Sequence, residues 1–172
     1  IHPDDMSQGI SFTALDITCR KKAEEQLQKD EEELSAIYKN APIIMMVVDK
    51  ERRVRKINGF GSQFVGRPAE ELIGLHGGEA LRCMHRLEDP RGCGFGPFCD
   101  ECTVRNTVLD TFETGEPHHK VEASLPFETD EGQKQLTFLV STSILNLPGE
   151  RRVLVSLMDI TERKKMENAL RE

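Results

Sequence analysis

The first periodic pattern of apolar and polar residues along the chain predicts a helix. Between residues 18 and 39, apolar side chains recur every three or four positions, and glutamate and lysine fill most of the others. The spacing is close to a coiled-coil heptad that Asp30 interrupts. Two interpretations stay open: a solvated single helix, and a parallel coiled coil that pairs two protomers, which we favour. The apolar positions are Ala23, Leu27, Leu34, Ile37 and Ala41.

Shorter apolar runs after this segment predict a β-hairpin. Pro42 ends the helix, and residues 43–48 form an unbroken apolar run that fits a buried central strand. Residues 49–52 form a polar turn, after which residues 54–58 return as a second strand. Two short helices are then predicted at residues 59–65 and 68–73, closed by Gly66 and Gly74.

The second half of the chain contains one further helix and three strands. A helical spacing of apolar residues runs from Cys99 to about Thr114 and stops at Gly115, which places Cys99 and Cys102 on the first turn of a helix. Strict alternation of apolar and polar residues then predicts strands at residues 121–127, 136–144 and 153–157. The order of elements predicts an α+β domain: a five-stranded antiparallel sheet with short helices on one face.

The two ends of the chain repeat each other. Residues 14–24, ALDITCRKKAE, match residues 157–167, LMDITERKKME, at a fixed offset of 143 positions. Each copy is predicted as a strand, an Asp-Ile-Thr junction and a charged helix, with Thr18 or Thr161 as the N-cap. We therefore expect a piece of a longer tandem protein. Residues 1–18 are the tail of one module, 19–40 a helical linker, 41–160 a second module, and 161–172 the start of a C-terminal helix.

Composition excludes two function classes. The 172 residues carry a net charge of −7 and show no basic stripe, which argues against nucleic-acid binding. No apolar run approaches a membrane span, and no signal peptide is visible, so the chain is expected to be cytoplasmic. A membrane anchor elsewhere in a longer parent protein is left open.

Four of the five cysteines gather in residues 83–102. They are separated by nine, five and two residues, and glycines flank the second cysteine. Four sulfurs this close in sequence suit a tetrahedral zinc or an iron–sulfur cluster, and neighbouring glycines allow backbone N–H groups to approach the ligands. His85 is a possible substitute ligand. The four cysteines are Cys83, Cys93, Cys99 and Cys102.

Other uses of these cysteines stay open. They could form a thiol–disulfide switch or be inertly buried, although a reducing cytosol disfavours structural disulfides. Only Cys99 and Cys102 form a Cys-x-x-Cys pair, whereas zinc ribbons usually have two, which favours iron–sulfur modestly. A thiol oxidoreductase is disfavoured because no βαβ unit surrounds that pair. No phosphate-binding loop, Ser-His-Asp set or paired-carboxylate site stands out, so the fragment is expected to be non-enzymatic.

The chain resembles a PAS sensor domain with its C-terminal PAC portion. Three stretches carry the resemblance over about residues 34–162: YKNAP at 38–42, VRKIN at 54–58 followed by FVGRPAEELIG at 64–74, and DITERK at 159–164. The resemblance implies a ligand cavity between sheet and helices. It also implies a signal that passes through the Asp-Ile-Thr junction to a C-terminal helix and a downstream output domain of the same chain, of histidine kinase or diguanylate cyclase type.

Residue roles follow from this resemblance. The relay residues would be Asp159, Ile160 and Thr161, with Asp16, Ile17 and Thr18 as their equivalents in the first copy. The chain would form a homodimer through its N- and C-terminal helices. The residues 82–86, RCMHR, do not match the cysteine motif of flavin-binding light sensors, so flavin is disfavoured. Haem is also disfavoured, because the candidate histidines are expected at the surface or behind the ligands: His76, His85, His118 and His119.

The cysteine segment is similar to PAS sensors that hold an iron–sulfur cluster, although those usually have two Cys-x-x-Cys pairs. The resemblance therefore implies a sensor of redox state, oxygen or a small ligand, with a cluster that air would destroy during preparation. Two alternatives stay open. The chain could be a zinc-stapled or metal-free module that sets dimer geometry, or a thiol–disulfide switch.

Overall fold

The structure is a computed structural model that describes residues 15–171. Two compact units divide the chain: the first ends at Ala36, and the second, Ile37–Glu172, contains the sheet. The helices are α1 (Thr18–Asn40), α2 (Gly59–Val65), α3 (Ala69–Leu72), α4 (Gly77–Ala80), α5 (Thr103–Thr114) and α6 (Thr161–Ala169), with a 3₁₀ helix at Met84–Leu87. The strands are β1 (Ile44–Val48), β2 (Val54–Ile57), β3 (His118–Thr129), β4 (Gly132–Leu147) and β5 (Glu150–Asp159).

The five strands form one antiparallel sheet in the order β2-β1-β5-β4-β3. β1 pairs with β2 on one side and with β5 on the other, so that Met46 faces both Ile57 and Val155. The first and last strands of the domain are thereby neighbours at the centre of the sheet. The predicted α+β class, the hairpin and the five-stranded antiparallel sheet are confirmed.

The core lies on one face of this sheet. Alternate side chains of β4 and β5 are buried, as the period-two pattern predicts, and four of the five side chains of β1 are buried, as its unbroken apolar run predicts. Three phenylalanines meet there edge to face: Phe127 and Phe138 are 5.4 Å apart between ring centres, and Phe64 from α2 lies 6.2 and 6.0 Å from them. Each fully buried large side chain contributes about 1.5–3 kcal/mol to stability.

Asn58 fastens the start of the domain to α2. Its amide group is 1% exposed, accepts hydrogen bonds from the backbone N–H groups of Met45 and Gly61, and donates to the carbonyls of Ala41 and Ile43. A short side chain with both donors and acceptors satisfies the strand end and the helix start together.

Several predicted boundaries were wrong. α5 begins at Thr103 with Cys102 as its N-cap, so Cys99 precedes the helix and neither cysteine lies on its first turn. The helix predicted at 68–73 spans only Ala69–Leu72. The predicted N-cap Thr161 is the first residue of α6 and follows Ile160. Each error has one cause: apolar periodicity locates a helix but not the turn in which it begins.

α1 has its apolar residues on the surface. No side chain in it is buried, and Leu27, Leu34 and Ile37 are each 60–67% exposed. The predicted dimer interface is therefore uncovered within this single chain, and pairing stays a prediction. The predicted strand before α1 falls largely in residues 1–14, outside the described residues. No helix within residues 15–171 is long and apolar enough to span a bilayer.

Candidate thiol centre

The cysteine segment is held against β3. The backbone of Cys83 forms an antiparallel bridge with Phe127, and the N–H of Glu128 donates to the carbonyl of Arg82. The guanidinium groups of Arg82 and Arg86 then pair with the Glu128 carboxylate at 3.4 and 2.5 Å. These contacts fix the first cysteine of the segment to the sheet.

Four buried or partly buried cysteines, Cys83, Cys93, Cys99 and Cys102, lie within one segment, and we call this group the thiol centre. Cys83, Cys93 and Cys102 line one cavity, and Cys99 is 4% exposed. Gly78 allows the close approach, because a Cβ atom at that position would lie 2.5 Å from the Cys93 sulfur. All five cysteines of the chain are free thiols, and Cys19 is separate and exposed on α1.

The Cys99 sulfur of the thiol centre accepts a backbone hydrogen bond. Gly94 N–H donates to the Cys99 sulfur at 3.3 Å. Such bonds stabilise negative charge on a ligand sulfur, and they need residues whose backbone can turn towards it. Gly94 adopts φ 97°, in the left-handed region that glycine favours. At the other three thiols, nearby backbone N–H groups act to lower the pKa and partly offset burial: those of His85 at Cys83, Gly78 at Cys93, and Val104 and Arg105 at Cys102.

Burial opposes ionisation of these thiols in the metal-free chain. It raises the pKa of Cys83 to about 12 and that of Cys93 to about 11, and the other thiols of the centre raise both further by charge repulsion. Burial also raises the pKa of Cys102. Cys83, Cys93 and Cys102 are therefore neutral at physiological pH unless a cation replaces their protons.

Two arginines bring positive charge to the thiol centre. Arg52, from the turn between β1 and β2, lines the cavity and partly offsets the effect of burial on the Cys93 pKa. Its guanidinium packs so closely on Gly94 that a Cβ there would lie 2.2 Å from it. Arg105 lines the same cavity, and its buried Nε has no hydrogen-bond partner within the described part of the chain. An unpaired buried donor is costly, which makes this atom notable.

The side chains are not arranged as a finished coordination sphere. Among residues 15–171, no group of three or more His, Cys, Asp or Glu side chains is positioned to hold a metal ion. His85, the possible substitute ligand, lies 2.5 Å from Glu88 through Nδ1 and stacks on Phe98, so its ring is engaged elsewhere. Four sulfurs in one segment are nevertheless the donor set that zinc or an iron–sulfur cluster takes, and three of the four cysteines line one cavity together with Arg52 and Arg105.

The cavity beside the thiol centre is small and apolar. Its volume is about 80 Å³, and apolar side chains from the sheet and helices form most of its wall. Since one water occupies about 30 Å³ of liquid, the space suits a molecule of very few atoms. The sheet side of the wall consists of Met46, Val48, Leu125, Phe127, Phe138, Val155 and Leu157.

Hydrogen bonds hold the Asp-Ile-Thr junction against β4. The Asp159 carboxylate accepts the Thr161 N–H at 2.8 Å, so the aspartate rather than the threonine caps the helix. Thr161 in turn accepts the Thr137 N–H through its hydroxyl at 2.9 Å, and Ile160 donates to the Thr137 carbonyl. Lys164 adds an ion pair with Glu122 of β3 at 2.7 Å. The start of α6 is thus tied to two strands.

The first copy of the junction repeats the local capping. Asp16 accepts the Thr18 N–H at 2.9 Å, as Asp159 does for Thr161. This pairing lowers the pKa of the Asp16 carboxyl, with the hydrogen bonds to Thr18 as the cause. Here too the predicted threonine cap is wrong, since Thr18 is the first residue of α1. The capping contact and the helix start are therefore repeated, whereas residues 15–17 lie outside any strand and residues 157–159 belong to β5.

Sequence reasoning missed two features of the thiol centre. Arg52 lies some forty positions before Gly94, and no local pattern connects them. His76, expected at the surface or behind the ligands, is 8% exposed and lines the cavity. The Gly77–Gly78 pair was a usable signal, because adjacent glycines often mark close backbone approach.

Comparison with known proteins gives the class of fold. No family model matches the sequence, and no curated protein matches it. A PAS domain of an HTR-like protein from Haloarcula marismortui aligns with 82% of this chain and all of its own, at 21% identity and a TM-score of 0.58. The PAS domain of nitrogen regulation protein NR(II) from Vibrio parahaemolyticus covers 73% of this chain and 96% of its own, at 16% identity and 0.53.

A third PAS domain, from Colwellia psychrerythraea, covers 77% of this chain and 98% of its own, at 13% identity and a TM-score of 0.55. The chain therefore has the PAS fold. Identities this low show the fold alone, and one fold hosts many ligands.

Proposed function

We propose that this chain is a sensory, non-catalytic module in which Cys83, Cys93, Cys99 and Cys102 hold an iron–sulfur cluster. The support is the arrangement of the thiol centre: Cys83, Cys93 and Cys102 line one cavity, the buried Cys99 accepts the Gly94 N–H, and nearby backbone N–H groups act to lower the pKa of the other three thiols. Inertly buried cysteines have no need of such donors, whereas thiolate ligands do.

Charge supports the same assignment. Four thiolates around zinc or an oxidised cluster leave a net charge of about −2, which is costly to bury without compensation. Arg52 and Arg105 line the cavity and supply two positive charges beside Cys93 and Cys102. The unpartnered Nε of Arg105 would gain an acceptor from such a centre.

When bound, an iron–sulfur cluster supplies a reversible electron couple and sensitivity to oxygen. The role of the protein would be to convert the presence of the cluster into a change in the position of α5. Cys102 is the N-cap of α5 and Cys99 lies three residues earlier, so both ligands are next to the helix start. Losing the metal would leave protonated thiols at Cys83, Cys93 and Cys102 in place of charged ligands, and the segment would repack.

A chain of contacts leads from α5 to α6. The Thr111 hydroxyl of α5 meets that of Thr142 on β4, and Thr137 of the same strand holds Thr161. We propose that the signal passes through Asp159, Ile160 and Thr161 to α6 and a downstream output domain. Histidine kinase or diguanylate cyclase output, like cytoplasmic location, remains part of this proposal. A shift of β4 relative to α5 is the mechanical step, since packed elements change position in discrete steps.

Dimerisation belongs to the same proposal. The exposed apolar stripe of α1, Leu27, Leu34 and Ile37, fits a parallel coiled coil with a second copy of this chain. α6 would continue as the second pairing helix. Paired helices before and after the sheet domain in the sequence would let one sensor movement reach two output domains.

A thiol–disulfide switch is a second candidate. Cys83 and Cys93 both approach Gly78, since a Cβ there would lie 3.4 Å from the Cys83 Cβ and 3.0 Å from the Cys93 Cβ. Joining the two sulfurs would release two protons and pass two electrons to an oxidant such as a peroxide or a disulfide. A zinc staple that sets dimer geometry is the structural alternative.

Metal analysis tests the proposal. Protein purified without oxygen is assayed for iron, zinc and acid-labile sulfide, together with its visible spectrum. We expect iron with matching sulfide and a brown absorption that bleaches in air. A Cys99→Ser, Cys102→Ser variant should lose both, whereas Cys19→Ser, which changes an exposed cysteine outside the centre, should keep them. Zinc alone supports the staple, and no metal in either preparation contradicts both metal assignments.

A further inference from the structure

A second, open cleft adjoins the thiol centre. Its volume is about 470 Å³, and it shares Arg52 and His76 with the wall of the apolar cavity. No cysteine lines it, so its chemistry differs from that of the thiol centre. The lining residues are Lys50, Glu51, Arg52, Arg53, His76, Arg91 and Phe95, and we call this site the cationic cleft.

The lining of the cationic cleft is positively charged, although the chain as a whole is negatively charged. The whole chain is −7, yet four permanent cations and one carboxylate line this cleft. That carboxylate, Glu51, lies 3.8 Å from Lys50, and Asp89 pairs with Arg91 at 2.9 Å. Two positive charges, those of Arg52 and Arg53, remain without a carboxylate partner among residues 15–171. A surplus of this size matches a ligand with two negative charges.

The arginines are held for contact with a ligand. The Arg91 guanidinium lies 4.6 Å from the centre of the Phe95 ring, and that of Arg52 lies 6.0 Å from it. His76 meets the same ring edge to face. Arg53 donates one N–H to the carbonyl of Gly74, which leaves its other donors available. Planar guanidinium groups ordered in this way bind carboxylate or phosphate through paired hydrogen bonds.

Arg52, which lines this cleft, has a backbone conformation that its residue type does not favour. It adopts φ 63° in the turn between β1 and β2, where the left-handed backbone favours glycine or asparagine. A residue kept there despite that cost is one whose side chain is used. The guanidinium lines both the cavity and the cleft, and within the described residues it makes no ion pair with a carboxylate.

We propose that the cationic cleft binds a small dianion, of the phosphate monoester or dicarboxylate class. Arg52 and Arg53 carry the two charges that the dianion neutralises, and Arg91 and Lys50 surround it. The half-exposed Phe95 ring covers an apolar part of the ligand. No cysteine lines the cleft, although the thiol centre shares Arg52 with it, so an anionic centre on the cysteines and a dianion in the cleft would compete for that charge.

Titration with two probes tests this site. Inorganic phosphate and succinate are titrated separately into the whole chain at low salt, at a pH where each is mainly dianionic, with chloride as the reference. We expect saturable one-to-one binding by calorimetry, and we expect Arg52→Gln to lower the association constant about tenfold or more. The stronger of the two probes identifies the ligand class.

Matched variants separate a site from general electrostatics. Lys56→Gln removes an exposed positive charge of β2 outside the cleft and should leave binding within twofold. Arg91→Gln changes a residue that is 66% exposed and should weaken binding even if Arg52→Gln fails to fold. Linear, non-saturating heat, or equal losses in Lys56→Gln and the cleft variants, would overturn the proposal. Arg52 would then serve only the charge of the thiol centre.

Discussion

The hydroxyl oxygens of Thr111 and Thr142 lie 2.8 Å apart in the interior, where the two residues are 0% and 2% exposed. Thr111 also donates to the carbonyl of Glu116 at 3.0 Å, so its oxygen is left to accept the Thr142 hydroxyl. This contact joins the helix that follows the cysteines to the central part of the sheet. It is a direct polar contact between α5 and β4, the first step of the proposed route from the thiol centre to α6.

Breaking this link should be costly. Thr111→Val keeps the side-chain shape but leaves the Thr142 hydroxyl and the Glu116 carbonyl unsatisfied, so we expect the free energy of unfolding to fall by about 1–3 kcal/mol. Thr142→Val should cost less, because the Thr111 donor keeps its carbonyl. Urea unfolding of both variants and the double variant measures the coupling. Additive losses would mean that the two hydroxyls do not interact.

Adjacent glycines provide a sharp test of the thiol centre. Gly78→Ala would place a Cβ 2.5 Å from the Cys93 sulfur, whereas Gly77→Ala has no heavy atom within 4 Å. We expect Gly78→Ala to lower metal content and to reduce stability by about 1–3 kcal/mol through overpacking. Gly77→Ala, on the same short helix, should be neutral or slightly stabilising. Equal effects would show that the cysteines are not packed against Gly78.

The hydrogen bond from the Thr137 N–H to the Thr161 hydroxyl should stabilise the start of α6. Thr161→Val removes the acceptor of the Thr137 N–H, while Thr161→Ser keeps it. We expect faster amide hydrogen exchange over residues 161–169 in the valine variant, with a local cost of about 1–2 kcal/mol, and near-native exchange in the serine variant. If both variants exchange alike, the hydroxyl does not hold the helix start.

Asn58 and Ser62 form a contrasting pair of buried polar groups. Asn58→Ala removes four hydrogen bonds and should cost about 2–4 kcal/mol, because strand and helix termini lose their partners together. The buried Ser62 hydroxyl has no partner within residues 15–171, so Ser62→Ala should be neutral or stabilising. Thermal or urea unfolding distinguishes them, and a costly Ser62→Ala would reveal an unseen partner.

The thiols give the metal-free chain a defined pH dependence. The folded state raises the pKa of Cys83 from 9.0 to about 12 and that of Cys93 to about 11, mainly through burial. The folded state therefore holds these protons more tightly than the unfolded state does. Stability is complete below about 9 and falls as pH rises towards 11–12.

Urea midpoints between neutral and alkaline pH measure this slope, and Cys83→Ser should flatten it. The metal-loaded chain should instead lose stability as the pH falls, because protons compete with the cation for the thiolates. A metal-free chain whose stability rises above pH 9 would contradict the buried placement of the thiols.

Elements that depend on local spacing were predictable from the sequence. Period-two alternation located β4 and β5, because each of these strands buries one face. Gly66 and Gly115 marked two helix ends correctly, since both adopt the left-handed conformation that ends a helix. The clustering of four cysteines within twenty residues was also visible, because proximity along the chain needs no folding to be seen.

Contacts between distant segments were decided by the tertiary structure. Arg52 reaches Gly94 only because the β1–β2 turn packs against the cysteine segment, and no spacing rule encodes a meeting of residues so far apart. The same packing gives Gly78 its role and buries His76. The sequence by itself determined the fold class and which four cysteines are candidates to bind a metal. The tertiary structure decided which charges and backbone donors surround them, because these come from segments that meet only in the folded core.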